Sequence, residues 1–110
     1  MEKRNNDARR STRLSLQIPL VVTSLDPTCD FCKDCRTVFV NAHGCAIIVR
    51  ERLPDETPVI LKLVSNGALK KGRVVLSVAL LESVSWLLGV EFESPGNFWE
   101  VENPPADWRV

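Results

Sequence analysis

The chain has 110 residues, 45% of them hydrophobic, and its 14 basic residues balance 14 acidic ones. That length suits one domain and is short for two. The apolar fraction can build a core, which excludes a disordered tail, and zero net charge leaves no global field to draw the chain to nucleic acid or a membrane.

Residues 1–13 are polar and locally basic. Lys3, Arg4, Arg9, Arg10 and Arg13 face only Glu2 and Asp7. They read as a flexible basic arm where an anion is expected to bind, leading into a barrel domain at residues 14–110. No apolar stretch follows the basic start, so no signal peptide is expected. No apolar run reaches transmembrane length either. A soluble, cytoplasmic protein without membrane insertion is the expectation.

From Leu14 the pattern alternates. Leu16, Ile18, Leu20 and Val22 share one face, which predicts a strand over residues 16–22, and Pro19 predicts an edge position or a bulge. Residues 24–35 read as a polar, cysteine-bearing loop. Further strands are predicted over residues 36–41, 45–50, 58–64, 73–81 and 85–93, with Ser65-Asn66-Gly67 as a hairpin turn. Asn97 and Glu100 fit a helix cap and its box partner, which predicts a short C-terminal helix carrying Phe98, Trp99 and Val101, ended by Pro104-Pro105. Six short strands at this spacing predict an all-β, six-stranded antiparallel barrel, because closure removes exposed edges.

Two elements carry candidate ligand chemistry. Arg9, Arg10 and Arg13 lie directly before the first strand, and arginine pairs bidentately with phosphate and stacks on flat bases. Taken alone, a short basic run also reads as a solvated tail. The second element is the turn joining strands two and three, where Asn41, His43 and Gly44 stand between Thr37 and Cys45. Gly44 can take positive φ or let a ligand approach the backbone, and Asn41 can bond a base edge or tie the turn.

In this order the two elements resemble the PilZ domain family, whose six-stranded barrel binds the bacterial second messenger cyclic di-GMP. The family carries an RxxxR arm and a [DN]xSxxG turn between its second and third strands. Arg9 and Arg13 match the arm. Leu88-Gly89-Val90-Glu91-Phe92 is similar to the last barrel strand, and the Phe98-Trp99…Pro104-Pro105…Trp108 tail to that of some members. Setting Gly44 on the motif glycine puts Phe39 at the acidic position and Asn41 at the serine. Setting Asn41 at the acidic position puts His43 at the serine and Ala46 at the glycine. The first register keeps the glycine and is preferred here. The resemblance implies a bacterial signalling domain binding cyclic di-GMP through Arg9, Arg10, Arg13, Asn41, His43 and Gly44, with a downstream protein partner. The alternatives are an adaptor that binds protein without nucleotide, and a metal or thiol redox module.

That last alternative rests on Cys29-x-x-Cys32-x-x-Cys35, a spacing that wraps zinc or, with a fourth ligand, an iron–sulfur cluster. Cys45, His43, Asp30 and Asp34 are the candidate fourth ligands. The competing reading makes Cys45 a buried core residue and the loop cysteines free thiols, as expected in a reducing cytosol. No cofactor is required by the signalling reading.

Enzymatic motifs are absent. The chain has one histidine and no tyrosine, and no G-x-S-x-G, phosphate-cradling glycine loop or H-E-x-x-H occurs. Asp55 and Glu56 read as solvated turn charges. Trp86, Trp99 and Trp108 read as packing residues, without the interleaved basic and aromatic positions of a DNA- or RNA-binding barrel.

Overall fold

In the computed structural model, which describes residues 11–81 and 84–108, the alternation becomes six antiparallel strands. These are β1 (Pro19–Ser24), β2 (Cys32–Asn41), β3 (Gly44–Val49), β4 (Pro58–Leu63), β5 (Leu69–Ala79) and β6 (Trp86–Phe92). They close into a barrel in the order β1-β2-β3-β6-β5-β4, with β4 pairing back onto β1. The period-2 pattern decides which side chains fill it. Leu20 and Val22 point inward from β1, Ile47 and Val49 from β3, Val59 and Leu61 from β4, and Leu88 and Val90 from β6, all buried. Closure leaves no open sheet edge, which removes the main route to edge-to-edge aggregation.

Three local expectations are corrected. Pro19 opens β1 rather than marking an edge strand. At the first strand position its missing amide costs no ladder bond, and β1 has neighbours on both sides, β2 and β4. The predicted cysteine loop is shorter than expected, because β2 already begins at Cys32 and pairs Thr23 with Cys32 and Leu20 with Cys35. The C-terminal helix is not at residues 98–101. Asn97 does accept the Val101 N–H at 3.0 Å, but Glu100 adopts φ 56°, a left-handed conformation that stops a helix after one turn. The only helical residues described are a single 3-10 turn at Ala106–Trp108, beyond the two prolines.

Residues after β6 pack back onto the barrel. Phe92, Phe98 and Trp99 form an aromatic cluster with centroids 5.1–5.6 Å apart, and Trp99 and Trp108 are buried. Among the described residues no helix is long and apolar enough to cross a membrane.

Candidate functional site

The β2–β3 hairpin turns on two residues, Ala42 and His43, between the paired Asn41 and Gly44. Tight hairpins of this length favour positive φ at both central residues, yet neither residue has it. The turn is held instead by its surroundings. Asn41 Oδ1 accepts the His43 N–H at 2.9 Å. The Ala42 carbonyl accepts the Gly96 N–H, and the His43 carbonyl the Phe92 N–H. The Trp99 indole N–H donates to the Asn41 carbonyl at 3.0 Å.

Gly44 is needed for a different reason than the sequence suggests. Its φ is not positive. A Cβ there would lie 1.8 Å from the Val90 carbonyl oxygen, so the residue permits the close approach of β3 to β6.

The basic arm is anchored from Ser11 onward; Arg9 and Arg10 lie outside the described residues. Ser11 is buried, and its hydroxyl accepts the Ala42 N–H and lies 3.1 Å from His43 Nδ1. Thr12 donates through both its N–H and its hydroxyl to Asp107 Oδ2, at 2.9 and 2.8 Å. The Trp108 indole N–H donates to the Thr12 carbonyl. These contacts deliver Arg13 to the outer face of the barrel, where its guanidinium lies 4.3 Å over the Phe39 ring. Sequence reasoning missed Ser11, because nothing in a lone serine next to arginines signals burial.

Arg13, Asn41, His43 and Gly44 all line one open groove of about 280 Å³. Four of the six sequence-predicted ligand residues therefore come together. Cross-strand register explains the groove's shape. Phe39 pairs with Ala46, Ala46 with Gly89, and Gly89 with Leu76. This row runs across β2, β3, β6 and β5 on the outer face, with small residues in the middle and large ones at both ends. Each end coincides with a β-bulge, between Thr37 and Phe39 in β2 and between Val74 and Leu76 in β5. Bulges re-aim side chains and bend a strand locally.

The next row toward the hairpin is polar. Gly44 pairs with Glu91, and Glu91 with Arg73. Arg73 donates to both Glu56 oxygens at 2.6 and 2.7 Å and to Glu91 Oε1 at 2.7 Å. The hydrogen bonds and charge of Glu56, and then those of Glu91, hold the Arg73 guanidinium protonated above its ordinary range. Glu91 therefore enters the groove with a cation already beside it. The groove is walled by an arginine on one side and carries, at its polar end, a carboxylate paired with Arg73.

No family model matches the chain, and no curated protein matches it. A structural comparison does. The crystal structure of the PilZ domain of CeSA from a cellulose-synthesizing bacterium superposes with a TM-score of 0.51, covering 73% of this chain and 80% of that one at 19% identity. The closed six-stranded barrel has the fold of a PilZ domain.

The placements of Cys32, Cys35 and Cys45 differ. In the PilZ-like barrel Cys35 faces inward beside Leu20, whereas Cys32 is exposed, three positions away on an alternating strand, with Thr23 Oγ1 3.4 Å from its sulfur. Cys45 is buried in the core. Among the described residues no group of three or more His, Cys, Asp or Glu is arranged to hold a metal ion. Pairing of β2 with β1 puts Cys32 and Cys35 in a strand rather than in the loop that the spacing suggests. Burial, and next the Asp34 charge, push the Cys35 thiol up to about 11. Burial pushes Cys45 higher still. Both are therefore poor nucleophiles at neutral pH.

Proposed function

We propose that this domain is a non-catalytic signalling receptor that binds cyclic di-GMP in the outer groove. Arg13, with Arg9 and Arg10 from the same arm, pairs with the phosphates, and the Asn41–Gly44 hairpin meets a base edge. The observation that carries this reading is the convergence of the Arg13 guanidinium with Asn41, His43 and Gly44 on a single groove. The hairpin also supports one of the two motif registers. Asn41 opens the turn and accepts the His43 N–H, the local bond that an Asp or Asn makes at such a position. Phe39 lies inside β2, two residues before the turn. The register with Asn41 at the first motif position, His43 at the serine and Ala46 at the glycine fits this geometry better than the register that keeps Gly44.

Calorimetric titration with cyclic di-GMP, with cyclic di-AMP and GTP as controls, tests the reading. Saturable binding selective for cyclic di-GMP is the expected result. Arg13→Ala should weaken it about 10-fold or more, the worth of one hydrogen-bonded charge contact. No heat with cyclic di-GMP would overturn the reading.

A second reading has its own observation. Ile48 pairs with Leu87 and Leu87 with Val78, below the groove row. Ile48 and Val78 are exposed, as are Leu81 and Val84 beyond them. An exposed apolar stretch of this kind suits a protein partner, which an adaptor would dock there without nucleotide. Binding of a partner that is abolished by Val78→Asp and indifferent to Arg13→Ala would favour this reading.

A further inference from the structure

The arginines of the barrel divide by what they touch. Arg73 is paired with Glu56 and Glu91, and Arg13 and Arg52 lie over the rings of Phe39 and Trp86. Arg36 and Arg50 have neither a carboxylate nor a ring partner among the described residues, and both are exposed. They share a neighbour. Thr37 and Ile47 are cross-strand partners, both buried. One step along each strand lie Arg36 on β2 and Ile48 on β3, and alternation turns both outward. Arg50 is two residues beyond Ile48, just past the end of β3.

From Ile48 the aliphatic row continues through Leu87 to Val78, across β3, β6 and β5. The nearby carboxylates do not answer the two arginines. Glu51 is held by Lys33 at 3.0 Å, and Asp34, on the same strand as Arg36, makes no ion pair among the described residues. Charge therefore decides between occupants. A wholly apolar partner would bury two guanidiniums without a carboxylate, which costs more than the packing returns unless they are paired. A second copy of this face would bring two more arginines with only Asp34 to meet them. A partner with carboxylates beside its aliphatic residues satisfies both, and guanidinium–carboxylate bonds would fix its direction on the row. Sheet faces pack at about 10 Å against another layer of side chains, which favours a polypeptide here over a lipid surface.

We propose that this face docks a protein segment that is both aliphatic and acidic, with its apolar side chains on Ile48, Leu87 and Val78 and its carboxylates on Arg36 and Arg50. This rests on the protein-partner reading and adds to it the chemistry of the partner. It does not require nucleotide in the groove. Leu87 also borders the groove, so the variants that test the face leave it unchanged.

The probes are two designed peptides with the same leucine face, one flanked by Glu and the other by Lys. Each is titrated into the isotope-labelled protein and followed by its amide resonances, after thermal melting has shown that every variant is folded. The Glu peptide should bind, and the Lys peptide should bind at least about tenfold more weakly. The shifts should centre on Arg36, Ile48, Arg50 and Val78 and spare His43 and Gly44. Arg36→Glu combined with Arg50→Glu should reverse the order of the two peptides. Val78→Asp should weaken the Glu peptide at least about tenfold. Equal binding of both peptides at this face, or an order that the double variant leaves unchanged, would overturn the acidic partner and leave the protein-partner reading standing. Amides of this face that neither peptide moves would overturn both. A dimer in sedimentation that Val78→Asp dissociates would make the occupant a second copy. Anionic lipid vesicles that bind in preference to either peptide would make it a membrane. Either of these last two results overturns the proposal.

Discussion

The indole N–H of Trp108 donates to the carbonyl of Thr12 at 2.7 Å across 96 residues of sequence, and Thr12 is the residue before Arg13. Trp99 does the same for the other half of the site, bonding the Asn41 carbonyl. The aromatic C-terminal segment thus fixes the backbone of both groove elements, and Asp107 adds a second tie to Thr12. Neither tryptophan faces the groove, so their contribution to binding is indirect.

Trp108→Phe keeps an aromatic ring in place and removes the N–H. Loss of one buried hydrogen bond and part of a buried side chain should cost about 1–2 kcal/mol of stability. Asp107→Ala lies on the surface and should cost far less. Both should weaken cyclic di-GMP binding severalfold, because both release Thr12. Chemical denaturation and calorimetry on the two variants separate the effects. If Asp107→Ala binds like the unmodified protein, the anchoring of Thr12 does not matter to the site.

Gly44→Ala should be among the more damaging small substitutions. The added carbon would meet the Val90 carbonyl oxygen at 1.8 Å, and that neighbour is backbone rather than a movable side chain. Relief requires β3 and β6 to separate, at a cost of about 3 kcal/mol, the upper range for overpacking. Gly67 provides the contrast. It has open space around it and φ 74°, so Gly67→Ala should cost only about 1–2 kcal/mol of left-handed strain. Denaturant midpoints of the two variants check the ranking.

The strands were legible because inward residues recur with period two, and burial follows that alternation throughout β4 and in β1 as far as Thr23. The start of β2 was not. Cys32, Lys33 and Asp34 are polar or exposed, and only pairing with β1 makes them a strand. The misplacement of the C-terminal helical turn had a real local cause. Asn97 does cap Val101, but Glu100 turns left-handed and its carboxylate accepts from Asn66 at 3.2 Å instead of closing a box. At the site, arginines and turn residues announce themselves by type, so Arg13, Asn41, His43 and Gly44 could be named. Phe39, Ala46, Gly89 and Glu91 could not be grouped, because what joins them is register across four strands. A one-residue slip would have turned each to the other face.

Ser77 breaks the pattern of satisfied polar groups. It pairs with the buried Leu88, and its hydroxyl has no hydrogen-bond partner among the described residues despite being inaccessible. An unmet buried hydroxyl carries a desolvation cost of about 1–3 kcal/mol. Ser77→Ala removes the polar atom and leaves the small volume nearly unchanged, so it should raise stability by about 1 kcal/mol. An unchanged or lowered denaturation midpoint would mean that the hydroxyl is satisfied in solution.

The two inward cysteines predict an alkaline limit. Cys35 is raised to about 11 from an ordinary 9.0, chiefly by burial, and Cys45 is raised further by the same cause. A raised thiol is neutral in the fold over a pH range where the unfolded chain already carries thiolate. The stability this represents is whole below about pH 9 and drains away as the pH climbs toward 11. The chain contains no tyrosine, so no phenol titrates in that window. Melting temperature under reducing conditions should therefore hold level to about pH 9 and fall above it. Cys35→Ala should make the fall shallower, since one of the two titrating groups is gone. Parallel curves for the variant and the unmodified protein between pH 9 and 11 would show that ionisation of Cys35 does not limit the fold.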